Sequence, residues 1–179
     1  MKFQAIVAGI KHPIVNIIAI GKTGGIPWNI PDDMQWFREY TKDSVIIMGR
    51  KTWESLPKKP LPGRVNIVLT SQVYVPGAHH VCANVEEVSL LCMNKYADKK
   101  CIVIGGSQIY EEFIKHNLLD EVSITYIRMQ NSDLYNSCDV ILYLDKITSK
   151  TESDHLVRSG QSGQIDQYAY DIHILKIDE

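Results

Sequence analysis

The side chain best placed for chemistry is an acid standing where an acid is costly. Residues Pro31–Tyr40 (PDDMQWFREY) open with a proline and two acids, the composition of a helix's first turn. At about 100° per residue with Asp33 at the origin, Phe37 falls at about +40°, Tyr40 at about −20°, Trp36 at about −60° and Met34 at about +100°. Gln35, Arg38, Glu39 and Asp32 fall on the other side. Attraction to the helix's positive end accounts for Asp32. It does not account for Asp33, whose carboxylate turns toward apolar residues and is costly there unless paired or used. Asp33 is the leading candidate for acid–base work.

Two glycine turns suggest a phosphate. Cys101–Phe113 (CIVIGGSQIYEEF) reads as an apolar strand, a glycine pair and a helix. Glycines after a parallel strand let an anion approach the backbone N–H groups at a helix's positive end. The G-x-G-x-x-G fingerprint is absent, so Gly105-Gly106 by itself is equally a tight turn. Met48–Trp53 (MGRKTW) sets Arg50 and Lys51 beside Gly49 and Thr52 after a second apolar strand, either a solvated basic turn or an anion site. Together the two turns fit a nucleotide carrying an extra phosphate. Other chemistries lack their residues. Gly21-Lys22-Thr23 resembles the end of a P-loop, but Asn16 stands where that loop needs glycine. There is no H-E-x-x-H or G-x-S-x-G, and the six histidines show no metal spacing. The four cysteines, Cys82, Cys92, Cys101 and Cys138, have neither C-x-x-C nor zinc-type pairing, and reduced, mostly buried thiols are expected. No metal site is expected.

The elements that must hold these residues are short apolar runs alternating with helical patterns. Ala5–Ile10, Val45–Met48, Val65–Leu69 and Cys101–Ile104 read as strands buried on both faces. Glu121–Ile127 and Tyr168–Ile177 alternate partly and suit antiparallel strands. Asn84 followed by Glu87 resembles a capping box opening a helix to about Tyr96. Ser107–Lys115 is a further helix. The pattern predicts an α/β fold with a mainly parallel sheet and late antiparallel additions. Gln130–Cys138 and Lys150–Gln164 are polar and read as long loops. One domain over residues 1–179 is expected.

Composition agrees. Of 179 residues, 45% are hydrophobic and 22% charged, as in ordinary globular chains. Nineteen basic residues against 21 acidic ones give a net charge of −2, a poor match to nucleic acid as main partner. No run has membrane-span length. Gln4 interrupts the N-terminal apolar run, Lys11-His12-Pro13 ends it, and no cleavage site follows. A cytoplasmic protein without a membrane partner is the expectation.

Taken in order, AIVAGI, IGKTGGIPWNIPDDMQWF, VIIMGRKTWESL, LPGRVNIVLTSQ, CIVIGGSQIYEEF, EVSITYI and YDIHIL closely resemble the dihydrofolate reductase family, from Ala5 to Leu175. The resemblance implies a central, mostly parallel eight-stranded sheet with an antiparallel C-terminal strand, flanked by about four helices. It implies NADPH as cofactor and 7,8-dihydrofolate as small-molecule substrate, with antifolate inhibitors as further ligands. A monomer is expected, with no fused thymidylate synthase.

The same resemblance gives residues roles. Asp33 would hold the pterin and assist protonation at N5, Thr125 would support its carboxylate, and Trp28 would hold a nearby water. Ile6, Val7, Met34, Phe37, Leu56 and Ile104 would line the substrate pocket. Arg64 would pair with the substrate's α-carboxylate, a task suited to a guanidinium fork. Ala8, Ile20 and Gly21 would flank the nicotinamide. Gly105, Gly106, Ser107, Gln108, Ile109 and Tyr110 would receive the pyrophosphate region. Gly49, Arg50, Lys51, Thr52, Leu69, Thr70 and Ser71 would surround the adenosine phosphates, their cations favouring NADPH over NADH.

The chain departs from the family pattern in places. Lys11–Ala19 and Arg128–Cys138 are longer than usual, Val140 replaces a threonine, Ile26 a larger aliphatic residue, and Gln108 an arginine found in some relatives. Two other readings share much of the pattern. A reductase of the same fold acting on a riboflavin-pathway pyrimidine should lack the Asp33–Phe37 helix and Arg64. A non-catalytic folate or nucleotide binder differs only in turnover.

Overall fold

Unbroken apolar runs become the inner strands of one sheet, because only strands covered on both faces need no polar side. The structure is a computed structural model describing residues 1–22, 24–129, 133–162 and 168–178. Strands β1 (Phe3–Lys11), β2 (Ile17–Gly21), β3 (Val45–Gly49), β4 (Val65–Leu69), β5 (His80–Cys82), β6 (Cys101–Gly105), β7 (Leu119–Met129), β8 (Val140–Tyr143), β9 (Thr151–Ser162) and β10 (Tyr168–Ile177) form a ten-stranded sheet. Its order is β5-β4-β3-β6-β1-β7-β10-β9, with β2 joining β1 to β8 beside this path. The pairs from β5 to β7 are parallel, while β10 is antiparallel to both β7 and β9. The parallel core with antiparallel additions is as read from sequence.

Helices α1 (Pro31–Tyr40), α2 (Arg50–Ser55), α3 (Val85–Lys95), α4 (Ser107–Lys115), α5 (Asp133–Ser137) and α6 (Asp145–Thr148) complete the described residues. None is long and apolar enough to cross a membrane. The capping box opens α3 with a shift of one residue. Glu87 N–H donates to the Asn84 side chain at 2.9 Å, while the Glu87 carboxylate accepts from Ala83 N–H at 2.8 Å. The core packs β1, β3, β4, β6 and β7 against α3 and α4, with Phe3 and Phe113 edge to face at 5.0 Å.

Among the described residues the sheet holds ten strands where eight were expected, and the helices number six where about four were. The largest correction is Lys150–Gln164. Its described part is not a loop but mostly β9, paired along β10 from Thr151↔Ile177 to Ser162↔Tyr168. Most of β9 is exposed, so backbone hydrogen bonds rather than buried side chains hold it, and a hydrophobicity pattern carries no trace of it. In the other segment read as a loop, Asp133–Ser137 forms α5, and residues 130–132 lie outside the described residues. The lengthened Lys11–Ala19 segment closes an antiparallel hairpin, Ile10↔Ala19. His12 Nδ1 accepts from Ile14 and Val15 N–H in its turn, each at 3.1 Å.

Candidate active site

The site begins with a split in the sheet. Strand β1 follows β7 from Phe3 to Ile10 but pairs with β6 only at Gln4↔Ile102 and Ala5↔Val103. Beyond Ala5 the two strands part. The Tyr110 hydroxyl closes the top of the parting by donating to the Ile6 carbonyl at 2.6 Å. Burial, with the Asp33 charge nearby, pushes this phenol's pKa far up, so it remains a protonated donor. Backbone groups alternate sides along a strand, so Ala8, two residues on, presents its N–H and C=O to the same opening. Ile6 and Val7 are buried, and Ala8 is half-buried.

Helix α1 crosses this region as a ladder. The Thr125 hydroxyl donates to Asp33 Oδ1 at 2.6 Å, Trp36 Nε1–H to Ser123 Oγ at 2.9 Å, and the Tyr40 hydroxyl to Glu121 Oε1 at 2.5 Å. Helix positions 33, 36 and 40 thus meet strand positions 125, 123 and 121, and α1 runs antiparallel to β7. Seven helical residues advance about 10.5 Å and four strand residues about 13 Å, close enough for the rungs to stay aligned. Lys176 on β10 also binds the Glu121 carboxylate, directly across β7–β10.

Asp33 is the buried residue of α1. Desolvation raises its pKa above 3.8, and the Thr125 hydroxyl bond partly offsets this. Its inward position agrees with the helical projection. Met34 is exposed and Phe37 and Leu56 are half-buried, so this pocket wall is open. Leu56 and Ile104 pack on the same apolar cluster as Met48 and Trp53. Trp28 is buried, and among the described residues its indole N–H has no hydrogen-bond partner. A donor so placed needs a partner from outside the chain, such as a water.

The second part is an anion cradle. Strands β3 and β6 are adjacent and parallel, with Met48↔Gly105 in register, so α2 and α4 start side by side at the carboxyl ends of these strands. Gly49 and Gly106 are their N-caps, and neither helix has a side-chain cap. The N–H groups of both first turns are left available to an anion, unlike those of α3, which Asn84 caps. The turns touch. A Cβ on Gly49 would stand 3.0 Å from Ile109 Cγ1, and one on Gly106 3.3 Å from Thr52 Oγ1. Gly105 has φ +116, its peptide bond to Gly106 is cis, and a Cβ there would meet the Tyr110 ring at 3.2 Å. Ile109 and Tyr110 are buried, Ser107, Thr52, Leu69, Thr70 and Ile20 half-buried, Gly21 buried, and Gln108, Lys51 and Ser71 exposed. Arg50 is already engaged, with Nη1 2.5 Å from Glu54 Oε1. The donors present suit the phosphates of a dinucleotide such as NADPH.

The third part is a cation. Arg64 donates from Nη1 to Thr41 Oγ1 at 3.0 Å and from Nε to the Pro62 carbonyl at 3.1 Å, tying the loop before β4 to the end of α1. Desolvation and the neighbouring Arg38 charge hold its pKa below the usual guanidinium value. Among the described residues neither arginine has an ion-pair partner. A guanidinium without an ion-pair partner suits a carboxylate.

Sequence reasoning missed several of these residues. Thr41, Ser123 and Arg38 carry no motif, and only the folded register brings them to the site. Asp32 is a correction in part. It lies on the exposed side, as projected, yet its carboxylate accepts a hydrogen bond from the Tyr170 hydroxyl of β10.

A split α/β sheet, a buried carboxylic acid beside the parting and two uncapped helix starts at the carboxyl ends of the inner strands make a site suited to an anionic ligand and to acid-assisted chemistry. The family model described as dihydrofolate reductase matches residues 10–165. A dihydrofolate reductase of Neisseria meningitidis serogroup A is 44% identical over 94 residues, 52% of this chain and 56% of that protein. The bifunctional dihydrofolate reductase-thymidylate synthase of Zea mays is 36% identical over 142 residues, 70% of this chain and 26% of that protein. The solved dihydrofolate reductase from Enterococcus faecalis, complexed with NADP(H) and RAB-propyl, superposes with a TM-score of 0.74 at 28% identity, covering 99% of this chain and 97% of that one. The aligned part thus spans about half the length of the Neisseria relative. The chain belongs to the dihydrofolate reductase family.

Proposed function

We propose that this protein reduces 7,8-dihydrofolate to tetrahydrofolate, consuming NADPH and one proton and releasing NADP⁺. The observation that carries the reading is the Asp33–Thr125 pair, a buried carboxyl held at 2.6 Å by a strand hydroxyl beside the opening between β1 and β6. When bound, NADPH supplies the hydride, from nicotinamide C4 to pterin C6. The chain's own residues do the rest. Thr125 fixes Asp33 Oδ1 and so leaves Oδ2 to accept from the pterin's 2-amino group and N3. Held there, the acid favours protonation at N5, and Trp28 N–H offers a donor for a water on that route. Ile6, Val7, Phe37, Leu56 and Ile104 exclude solvent from the ring. Arg64 takes the glutamate α-carboxylate. The uncapped starts of α2 and α4 hold the cofactor's phosphates, and Arg50, Lys51, Thr52 and Ser71 favour the 2′-phosphate. Compounds that mimic the pterin compete at Asp33.

The test is direct. Purified protein given NADPH and dihydrofolate should lose reduced-cofactor absorbance in proportion to tetrahydrofolate formed. Tight binding of both ligands without turnover would identify a folate- or nucleotide-binding protein instead.

A further inference from the structure

The first turn of α1 carries adjacent carboxylates that are held by hydroxyls from adjacent strands. Thr125 of β7 holds Asp33, and Tyr170 of β10 holds Asp32. Tyr170 is opposite Ile127, two residues beyond Thr125, so its side chain leaves the sheet on the same face as Thr125. It is one of the largest fully buried side chains in the protein. Burial and the Asp32 carboxylate push its pKa up to about 12, so its hydroxyl remains a donor. Asp32 and Asp33 are consecutive in the chain, so the two hydroxyls hold neighbouring carboxylates of one turn.

The sequence has made room for this bond. Directly across β9–β10 from Tyr170 stands Gly160. A Cβ there would lie 2.5 Å from the Tyr170 hydroxyl oxygen and 2.7 Å from its ring carbon, contacts that do not occur. The ring can lie over β9 only because residue 160 has no side chain. The same strand reaches α1 again through Arg158, 3.8 Å from Glu39.

We infer that Tyr170 and Asp32, with Gly160 beneath them, are positioning residues that fix the first turn of α1 so that Asp33 meets the substrate in one orientation. The inference rests on the reductase reading above. Asp32 acts as a hydrogen-bond acceptor in this arrangement, not as an acid. The rungs from Asp33, Trp36 and Tyr40 all tie α1 to β7, along one line of the helix. The Tyr170–Asp32 bond ties the first turn to a second strand, β10, off that line.

The variants separate this role from a structural one. Tyr170→Phe and Asp32→Ala should each slow single-turnover hydride transfer about tenfold at saturating ligands, the size of one net hydrogen bond, with KM for NADPH unchanged. Combined, they should slow it no more than either alone, because they break the same bond. Asp32→Asn keeps an acceptor oxygen and should stay near wild type. Gly160→Ala, which touches no ligand-binding residue, should reproduce Tyr170→Phe while remaining folded by circular dichroism. If the wild type turns over dihydrofolate and Tyr170→Phe, Asp32→Ala and Gly160→Ala all match it, this inference is wrong and the reductase reading stands. Multiplying losses in the double variant would also overturn it. A wild type without turnover removes the reductase reading itself.

Discussion

At the scale of single residues, Asp33 is desolvated, and in the proposed reaction it must still favour a proton's arrival. Its raised pKa means that the unfolded chain gives up this proton first. Between 3.8 and the folded value the native state therefore binds more protons, and stability falls as pH rises. Asp33→Asn abolishes that loss and still accepts from Thr125. The variant should melt at a higher temperature than wild type at pH 7, the gap closing as pH falls toward 3.8. Its hydride-transfer rate should drop about a hundredfold at pH 7, within the range of general-acid contributions, and partly recover in acid as solvent protonates the substrate. Calorimetry and stopped-flow measurements read these effects separately. A variant that lost stability at pH 7, or kept its rate, would contradict the assignment. Arg64 has a different signature. Arg64→Leu should weaken dihydrofolate by about 2–4 kcal/mol, because a desolvated carboxylate loses its partner, and pterin compounds lacking the glutamate tail should be nearly indifferent. Equal weakening of both ligands, measured by titration calorimetry, would point to damage at Thr41 instead.

At the scale of elements, the glycine turn after β6 is the joint on which the cradle depends. Gly105→Ala introduces a side chain at φ +116 and pushes on the Tyr110 ring. It should cost about 1–3 kcal/mol of stability, read from urea unfolding, and weaken NADPH more than dihydrofolate. Equal affinity for NADPH in the variant would separate the turn from the cofactor. Elements defined by burial were readable in advance. The β1, β3, β4 and β6 runs are apolar because both faces are covered, and α1 announced its inward acid by period alone. Elements defined by backbone pairing were not, and β9 is the clear case: its exposed side chains have nothing to pattern against. The ladder between α1 and β7 stood between these limits. Trp36 and Tyr40 were visible as an apolar stripe, but Ser123 and Glu121 as their acceptors depend on a strand register that no local pattern encodes.

At the scale of the whole molecule, the proposed site for each ligand is assembled from parts far apart in sequence, so binding should stabilise the fold as a unit. NADPH at a hundred times its Kd should add about 2.7 kcal/mol, a rise of roughly 5–10 °C in Tm for a chain of this size. NADH at the same concentration should add much less, and Arg50→Ala with Lys51→Ala should erase the difference. A thermal melt with each cofactor checks this, and equal shifts in the wild type would deny the cations their role. The parting of β1 from β6 has a further consequence, in the traffic of protons between amides and solvent. On its β7 side β1 is laddered to Ile10, whereas β6 provides it no pairing beyond Ala5. In deuterated water the free protein should therefore show an uneven strand, with the Ala8 amide exchanging quickly between slow neighbours. Occupation of the opening should slow that amide selectively, making one backbone position a label-free gauge of how full the site is. A β1 strand uniformly protected before any ligand is added would mean that the gap is closed in solution.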